Sequence, residues 1–283
     1  ETRVLAGEEV TDAEAAQLGG YPMVASYMGG KPQRSPSDRT LTAAVAFEQQ
    51  VAEAVGVDAD VIVLTGDNIN FPSERAVAHL VSVLEGSGIP YLFVAGNHDW
   101  DMHAQPGSPE ERRDGWQRTV LAPLYGGRDP KAWFEDIGGV RIVALDNSTG
   151  EVSAEQVTFF RHVANDSPLP VLLLVHIPLY SSRLNSTIST VPFSRRPGAE
   201  VEPAAGAGAL CGDPDDQTTT VATRELMKAV DSCEKLAAVL SGHIHTAQAH
   251  CIGAHDGMQY VADAGVFGGY RVLDLVPTTS PKL

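Results

Sequence analysis

Cysteine is scarce, with only Cys211, Cys233 and Cys251 in 283 residues. An odd, sparse set does not make a disulfide framework, and the plain expectation is three thiols. Basic residues are also few: 20 Lys and Arg stand against 36 Asp and Glu, for a formal net charge of −16. An acidic surface repels phosphate backbones, so neither stable nucleic-acid binding nor attachment to anionic membranes is expected. No apolar run approaches the roughly eighteen residues of a membrane span. No secretory leader pattern is visible, and the chain opens on Glu1 rather than Met. It therefore reads as a soluble protein whose compartment stays open. Internal repeats and a convincing linker are absent too. The expectation is an extension or surface helix over residues 1–20 and one domain over residues 21–283, carrying a long Ser-, Pro- and Gly-rich loop over residues 181–220.

What the chain does have is an ordinary apolar share, 43%, enough for a sizeable core. Tyr21–Tyr27 suggests a short strand, and residues 40–55 an amphipathic helix ended by Gly56. Continuous apolar runs at 61–64, 91–94, 171–175 and 237–240 have the look of buried parallel strands. Pro72 opens a helix between the first two runs, with Gly86 and Gly88 as stops. Gly138-Gly139 between two further runs predicts a hairpin. Ser153 followed by Gln156 makes a capping box for a helix through Val163. Residues 223–230 read as helical, and 260–262 and 270–275 as closing strands. Strands alternating with helices predict an α/β fold.

Each of the four buried runs ends in polar residues: Asp67 after Gly66, Asn97-His98-Asp99 after Gly96, His176, and His243 with His245 after Gly242. In open α/β sheets the ligand site lies off the carboxyl ends of the strands, where these clusters would converge. A carboxylate, an amide oxygen and several imidazoles suit Mn, Fe, Zn, Co or Ni better than Ca or Mg. If Gly242–His245 is extended, His243 and His245 point the same way. Taken singly, Asp67 could be a helix cap, Asn97 a turn residue and His176 a core histidine; their company favours ligation.

Gly66-Asp67-Asn68-Ile69-Asn70, Gly96-Asn97-His98-Asp99, the lone His176 and Gly242-His243-Ile244-His245 resemble, in order and spacing, four of the five sequence blocks of the calcineurin-like metallophosphoesterases. The resemblance spans roughly residues 60–275 and implies a two-sheet αββα sandwich. It implies that Asp67 bridges two metal ions, that Asn97, His176 and His243 complete the second site, and that His245 ligates the first. His98 would protonate the leaving oxygen, with Asp99 orienting it, while a metal-bound hydroxide attacks phosphorus. The implied activity is hydrolysis of a small phosphate ester. A soluble phosphodiester is the sharper expectation, with a phosphomonoester or a noncatalytic binding role as alternatives.

The family's first block, Asp-x-His at the end of the first strand, is missing. The strand expected at its place ends Ala25-Ser26-Tyr27-Met28. Three arrangements answer to this: the block lies upstream of Glu1, the first site is rebuilt with other groups such as Tyr27, or the protein holds one divalent or trivalent ion instead of two. The presence of a strand at the right place favours a depleted or remodelled first site. His250 and His255 are weaker replacement candidates, and Trp100 either walls the pocket or packs beneath the loop.

Overall fold

The computed structural model describes residues 43–69, 72–101, 106–188, 210–265 and 268–276. It also describes the backbone of four short strands: β1 (Arg3–Leu5), β2 (Glu8–Val10), β3 (Gln33–Arg34) and β4 (Thr40–Leu41). Tyr27, with the strand proposed around it, lies outside the described residues. β1 and β2 pair antiparallel from Arg3↔Val10 to Leu5↔Glu8, so these residues are extended rather than helical. The β-branched Val4 and Val10 suit that conformation. The helix expected from residue 40 begins instead at Ala43, because Thr40 and Leu41 are taken up in a ladder with Gln33 and Arg34.

From there, strands and helices alternate: α1 (Ala43–Gly56), β5 (Ile62–Leu64), α2 (Glu74–Ser87) and β6 (Tyr91–Phe93). β5 and β6 pair parallel, and Val94 N donates to Leu64 O at 3.2 Å, carrying the ladder toward the loops that follow. α2 starts two residues later than Pro72 would place it. Ser73 is its N-cap, accepting from Ala76 N at 3.3 Å, and Gly88 closes it in the left-handed conformation, φ 72°. Two helices with no counterpart in the sequence reading come next, α3 (Pro109–Arg118) and the short α4 (Ala122–Tyr125).

The second half builds a six-stranded mixed sheet from β7 (Ala132–Ile137), β8 (Val140–Leu145), β9 (Val171–Leu174), β10 (Leu236–Ser241), β11 (Gln248–Ile252) and β12 (Gly257–Val261). Its order is β11-β12-β10-β9-β8-β7, parallel through the middle four strands and antiparallel at both edges. Gly138 and Gly139 turn the β7–β8 hairpin at φ 58° and 83°, which side chains resist. α5 (Ala154–Asn165) carries the Ser153–Gln156 capping box, and α7 (Val221–Asp231) is capped by Thr220. Between these two helices, α6 (Ser182–Ile188) occupies the start of the stretch expected to be loop.

The layers follow from strand alternation. Val143, Leu145, Val171, Leu173 and Val239 face α5 and α7 in one core cluster. Their neighbours Ile142, Ala144, Leu172, Leu174 and Leu240 face the other way and pack with Leu92, Val94, Val61 and Val63 of the β5–β6 pair. The opposite side of that pair, with Leu64 and Phe93, packs on α1 and α2. The fold is α/β with helices on a mixed sheet, and this order of clusters is consistent with the two-sheet sandwich. The expected closing strand at 270–275 has no ladder among the described residues. Tyr270, Val272, Leu273 and Leu275 are exposed there, because a strand forms only against a hydrogen-bonding neighbour.

Candidate metal centre

The carboxyl ends of β5, β6, β9 and β10 deliver the chemistry. Two glycines let them meet. A Cβ on Gly66, at φ 91°, would stand 2.5 Å from both Gly96 N and His176 Nδ1. A Cβ on Gly96 would fall 2.1 Å from Asp67 Oδ1 and 2.6 Å from His176 Cε1. Only hydrogen fits at either position.

His176 is fully buried and held from two sides. Its Nδ1 lies 2.8 Å from the carbonyl of Thr65, which can only accept, so Nδ1 carries the proton. Nε2 then turns a lone pair toward Asn97 Oδ1 at 3.1 Å, Asp67 Oδ2 at 3.3 Å and His243 Nδ1 at 3.1 Å. The His176 and His243 rings meet edge to face, their centroids 5.0 Å apart. Acceptor atoms crowded this closely repel unless a cation lies among them, either a proton or a metal ion. Burial works against charge on His176, but the adjacent Asp67 carboxylate outweighs it and raises the imidazole pKa. Burial likewise pushes Asp67 up, and His176, with His98 and His243, more than reverses this and holds its carboxyl far below the usual range. The ligand atoms of Asp67, His176 and His243 all lie within 4.8 Å of one another, a possible metal site. Their mixed oxygen and nitrogen chemistry fits a transition-metal ion.

His243 and His245 do not reach the centre along an extended strand. β10 ends at Ser241, and both residues take left-handed backbone, φ 68° and 52°. Ile244 between them is buried against Leu184, Leu210 and Val261, so the two imidazoles stay on the open side of the loop. Asp67 is left-handed too, φ 54°. Backbone strain of this kind, about 1–3 kcal/mol per residue, clusters at functional sites. His245 is half-buried and stands outside the close trio. Burial lowers its pKa, with the neighbouring His98 and His176 adding to that, against the opposing charges of Asp67 and Asp263.

His98 is exposed, and its backbone N–H donates to Asp67 Oδ1 at 2.8 Å. Asp99 is expected from the resemblance to orient the His98 ring; the hydrogen bonds it makes in the structure run to backbone groups. Asp99 turns inward, fully buried, and accepts three backbone N–H groups: Gly96 at 2.8 Å and Asp67 at 2.9 Å on Oδ2, and Ile69 at 3.0 Å on Oδ1. It staples the loop after β5 to the loop after β6. Burial, and then the charge of Asp67, push its pKa up to about 7. Trp100 packs beneath the loop, 2% exposed, with Nε1 donating to Ser148 Oγ. His250 is no replacement ligand, since it is buried within the sheet with its Nε2 2.9 Å from Gln259 Nε2, and His255 is exposed.

Asn147 escaped the sequence reading. Fully buried after β8, it accepts from His176 N and Ile177 N on Oδ1, both at 3.0 Å, and donates from Nδ2 to Ile177 O at 2.7 Å. The signal was available: Asp146-Asn147-Ser148 is a polar cluster closing a buried strand, like the four that were singled out.

A mixed α/β sheet with a possible metal site at its carboxyl edge defines the class, an α/β scaffold able to hold a metal ion. The family model for calcineurin-like phosphoesterases matches residues 39–247, and the chain belongs to that family. Among curated proteins, it is 26% identical over 151 residues to a "Probable cyclic nucleotide phosphodiesterase" of Psychrobacter arcticus, covering 50% of this chain and 52% of that protein. A protein of the same description from Fibrobacter succinogenes is 25% identical over 126 residues, 43% of each chain. The chain thus spans about half the length of the curated relatives it matches. A dimetal phosphatase from Danio rerio superposes with a TM-score of 0.52 at 13% identity, covering 79% of this chain and 78% of that one, a likeness of fold. Among the described residues, no helix is long and apolar enough to cross a membrane.

Proposed function

We propose that this chain hydrolyses a small phosphodiester, with cyclic nucleotides as the first substrate class to examine. The carrying observation is the convergence of Asp67 Oδ2, Asn97 Oδ1 and His243 Nδ1 on Nε2 of His176, within 3.3 Å, beside an exposed His98. Those four residues would hold a Mn, Fe or Zn ion, and His245 would serve a second one. Bound ions would supply Lewis-acid charge at the phosphoryl group.

The protein's own residues have distinct parts. Thr65 O and Asn147 fix His176 so that its lone pair faces the site. Asp99 sets the spacing of the two loops that carry Asp67 and Asn97. His98, tied through its backbone to Asp67, is free at its ring to hydrogen-bond a phosphoryl oxygen and give a proton to the leaving oxygen. The names of the curated relatives support the cyclic-nucleotide reading.

The test compares turnover of bis(p-nitrophenyl) phosphate, p-nitrophenyl phosphate and adenosine 3′,5′-cyclic monophosphate by Mn-loaded protein. The diesters should turn over faster than the monoester. His98→Ala should cost about 10²–10⁴-fold, more for the cyclic nucleotide, whose leaving alkoxide needs the proton most. A faster monoester would turn the reading to a phosphomonoesterase, and no turnover of any of the three by metal-loaded protein would overturn both.

A further inference from the structure

The loop that carries Asn97 and His98 is a tight turn with two faces. Asp101 N and Trp100 N both donate to Asn97 O, at 2.7 and 3.4 Å, which closes it. His98 stands on the exposed face, and Trp100, two residues on, is buried beneath the other. A tilt of the indole therefore tilts the backbone that aims the His98 ring.

The indole is fixed by a chain of hydrogen bonds whose members all lie outside the four motif blocks. Trp100 Nε1 donates to Ser148 Oγ at 2.8 Å, and Ser148 Oγ donates in turn to Asp146 Oδ1 at 2.6 Å. Ser148 N donates to the same oxygen at 3.0 Å. On the other side of the carboxylate, Oδ2 accepts from Gln117 Nε2 at 2.8 Å and lies 3.4 Å from Arg113 Nε. Gln117 and Arg113 belong to α3, and every side chain of the chain is buried. An indole N–H only donates and an ionised carboxylate only accepts, so the residue between them must do both, as a hydroxyl does. α3 holds the same turn a second time, with Arg112 Nη2 donating to Asp101 Oδ1 at 2.9 Å. A satisfied buried chain of this kind fixes angles that apolar packing leaves looser.

We propose that Ser148 is a positioning residue for His98, acting through Trp100, with Asp146 and α3 holding it in place. This rests on the reading of His98 as proton donor to the leaving oxygen. A displaced donor costs most where the leaving group most needs its proton. Ser148 should therefore matter for an alkoxide leaving group and little for p-nitrophenolate.

Structural support alone is the competing role, and the leaving group separates the two. Mn-loaded Ser148→Ala is assayed on adenosine 3′,5′-cyclic monophosphate and on bis(p-nitrophenyl) phosphate. With the cyclic nucleotide kcat should fall by about 10–100-fold, while the aryl diester loses less than about threefold and KM and Mn²⁺ uptake stay unchanged. Ser148→Thr, which keeps the hydroxyl, should restore the rate. In a His98→Ala background, Ser148→Ala should cost nothing further, because the step it serves is already lost. Equal losses on both substrates, or an undiminished further loss in the His98→Ala background, would overturn the proposal. Trp100→Phe, which removes the indole donor, should reproduce Ser148→Ala and serves if that variant does not fold. Amide hydrogen exchange reads the coupling without turnover. The His98 N–H, held by Asp67 Oδ1 at 2.8 Å, should exchange at least about tenfold faster in Ser148→Ala, with the β9 amides unchanged. Unchanged exchange at His98 would sink the proposal whatever the activity. Faster exchange there, in a protein whose wild type turns over neither substrate, would defeat the functional reading alone.

Discussion

A methyl group at residue 96 would have nowhere to go. Its nearest neighbours would be Asp67 Oδ1 at 2.1 Å and Asp67 N at 2.4 Å, and a backbone atom cannot swing aside as a side-chain end can. Gly96→Ala should therefore push the two loops apart. The expected result is a loss of about 1–3 kcal/mol of stability in urea unfolding, the usual range for overpacking, together with loss of metal uptake in calorimetry. Gly56 offers the contrast: a Cβ there meets nothing within 4 Å, so Gly56→Ala should leave metal uptake intact. At this scale the sequence was informative about identity and weak on conformation. The motif blocks named Asp67, Asn97, His98, His176 and His243. They did not reveal that Asp67, His243 and His245 would all be left-handed, because a short peptide carries no sign of the packing that forces it. The inward turn of Asp99 was hidden for the same reason: its partners Asp67 N and Ile69 N lie 32 and 30 residues away.

Strands matter here for where they stop. β9 ends at Leu174, and the next two residues continue the ladder through Val175 N to Leu240 O and Gly242 N to His176 O, both 3.0 Å. His176 is thus held by β10 on one flank and by Asn147, from the end of β8, on the other. Removing the Asn147 side chain would orphan two buried N–H groups and one carbonyl. Asn147→Ala should cost about 2–3 kcal/mol in urea unfolding and weaken metal binding, because His176 loses one wall of its mount. Asn147→Asp keeps the acceptor for both N–H groups but sets an oxygen against Ile177 O, so its penalty should be of the same order. Periodicity located most elements to within two residues, since buried strands and capped helices write their boundaries locally. It missed β11, whose residues Gln248–Ile252 mix polar and apolar types, and it placed a strand at 270–275 that has no ladder among the described residues.

The whole molecule couples the site to stability through protons. Burial disfavours the His176 imidazolium, but Asp67 raises its pKa above the ordinary 6.5. A raised pKa means that, in metal-free protein, this contribution is fully present below about pH 6.5 and is lost as pH rises through the folded value. Metal reverses the sense, because it needs the lone pair that the proton occupies. Affinity for Mn²⁺ should fall by roughly tenfold per pH unit as pH drops below the folded pKa of His176, one proton being displaced per ion. Calorimetry in buffers of different ionisation enthalpy would count that proton. Thermal unfolding should show the metal-loaded chain gaining Tm with free Mn²⁺ at pH 8, with a chelator returning it to the starting value. A Tm indifferent to metal at both pH 8 and pH 6 would exclude a resident ion.

By itself, the sequence determined the α/β class, the parallel strands, the caps and the residues that would meet at the carboxyl edge. Those properties are written in local pattern: apolar runs of strand length, glycine before three of the four polar clusters, and Ser-x-x-Gln at a helix start. Only the tertiary structure decided how the clusters work together. It set the tautomer of His176 through Thr65 O, the stapling role of Asp99 and the mount provided by Asn147. Each depends on atoms brought together from different strand ends, and separation along the chain says nothing of such neighbours until the sheet has fixed its register.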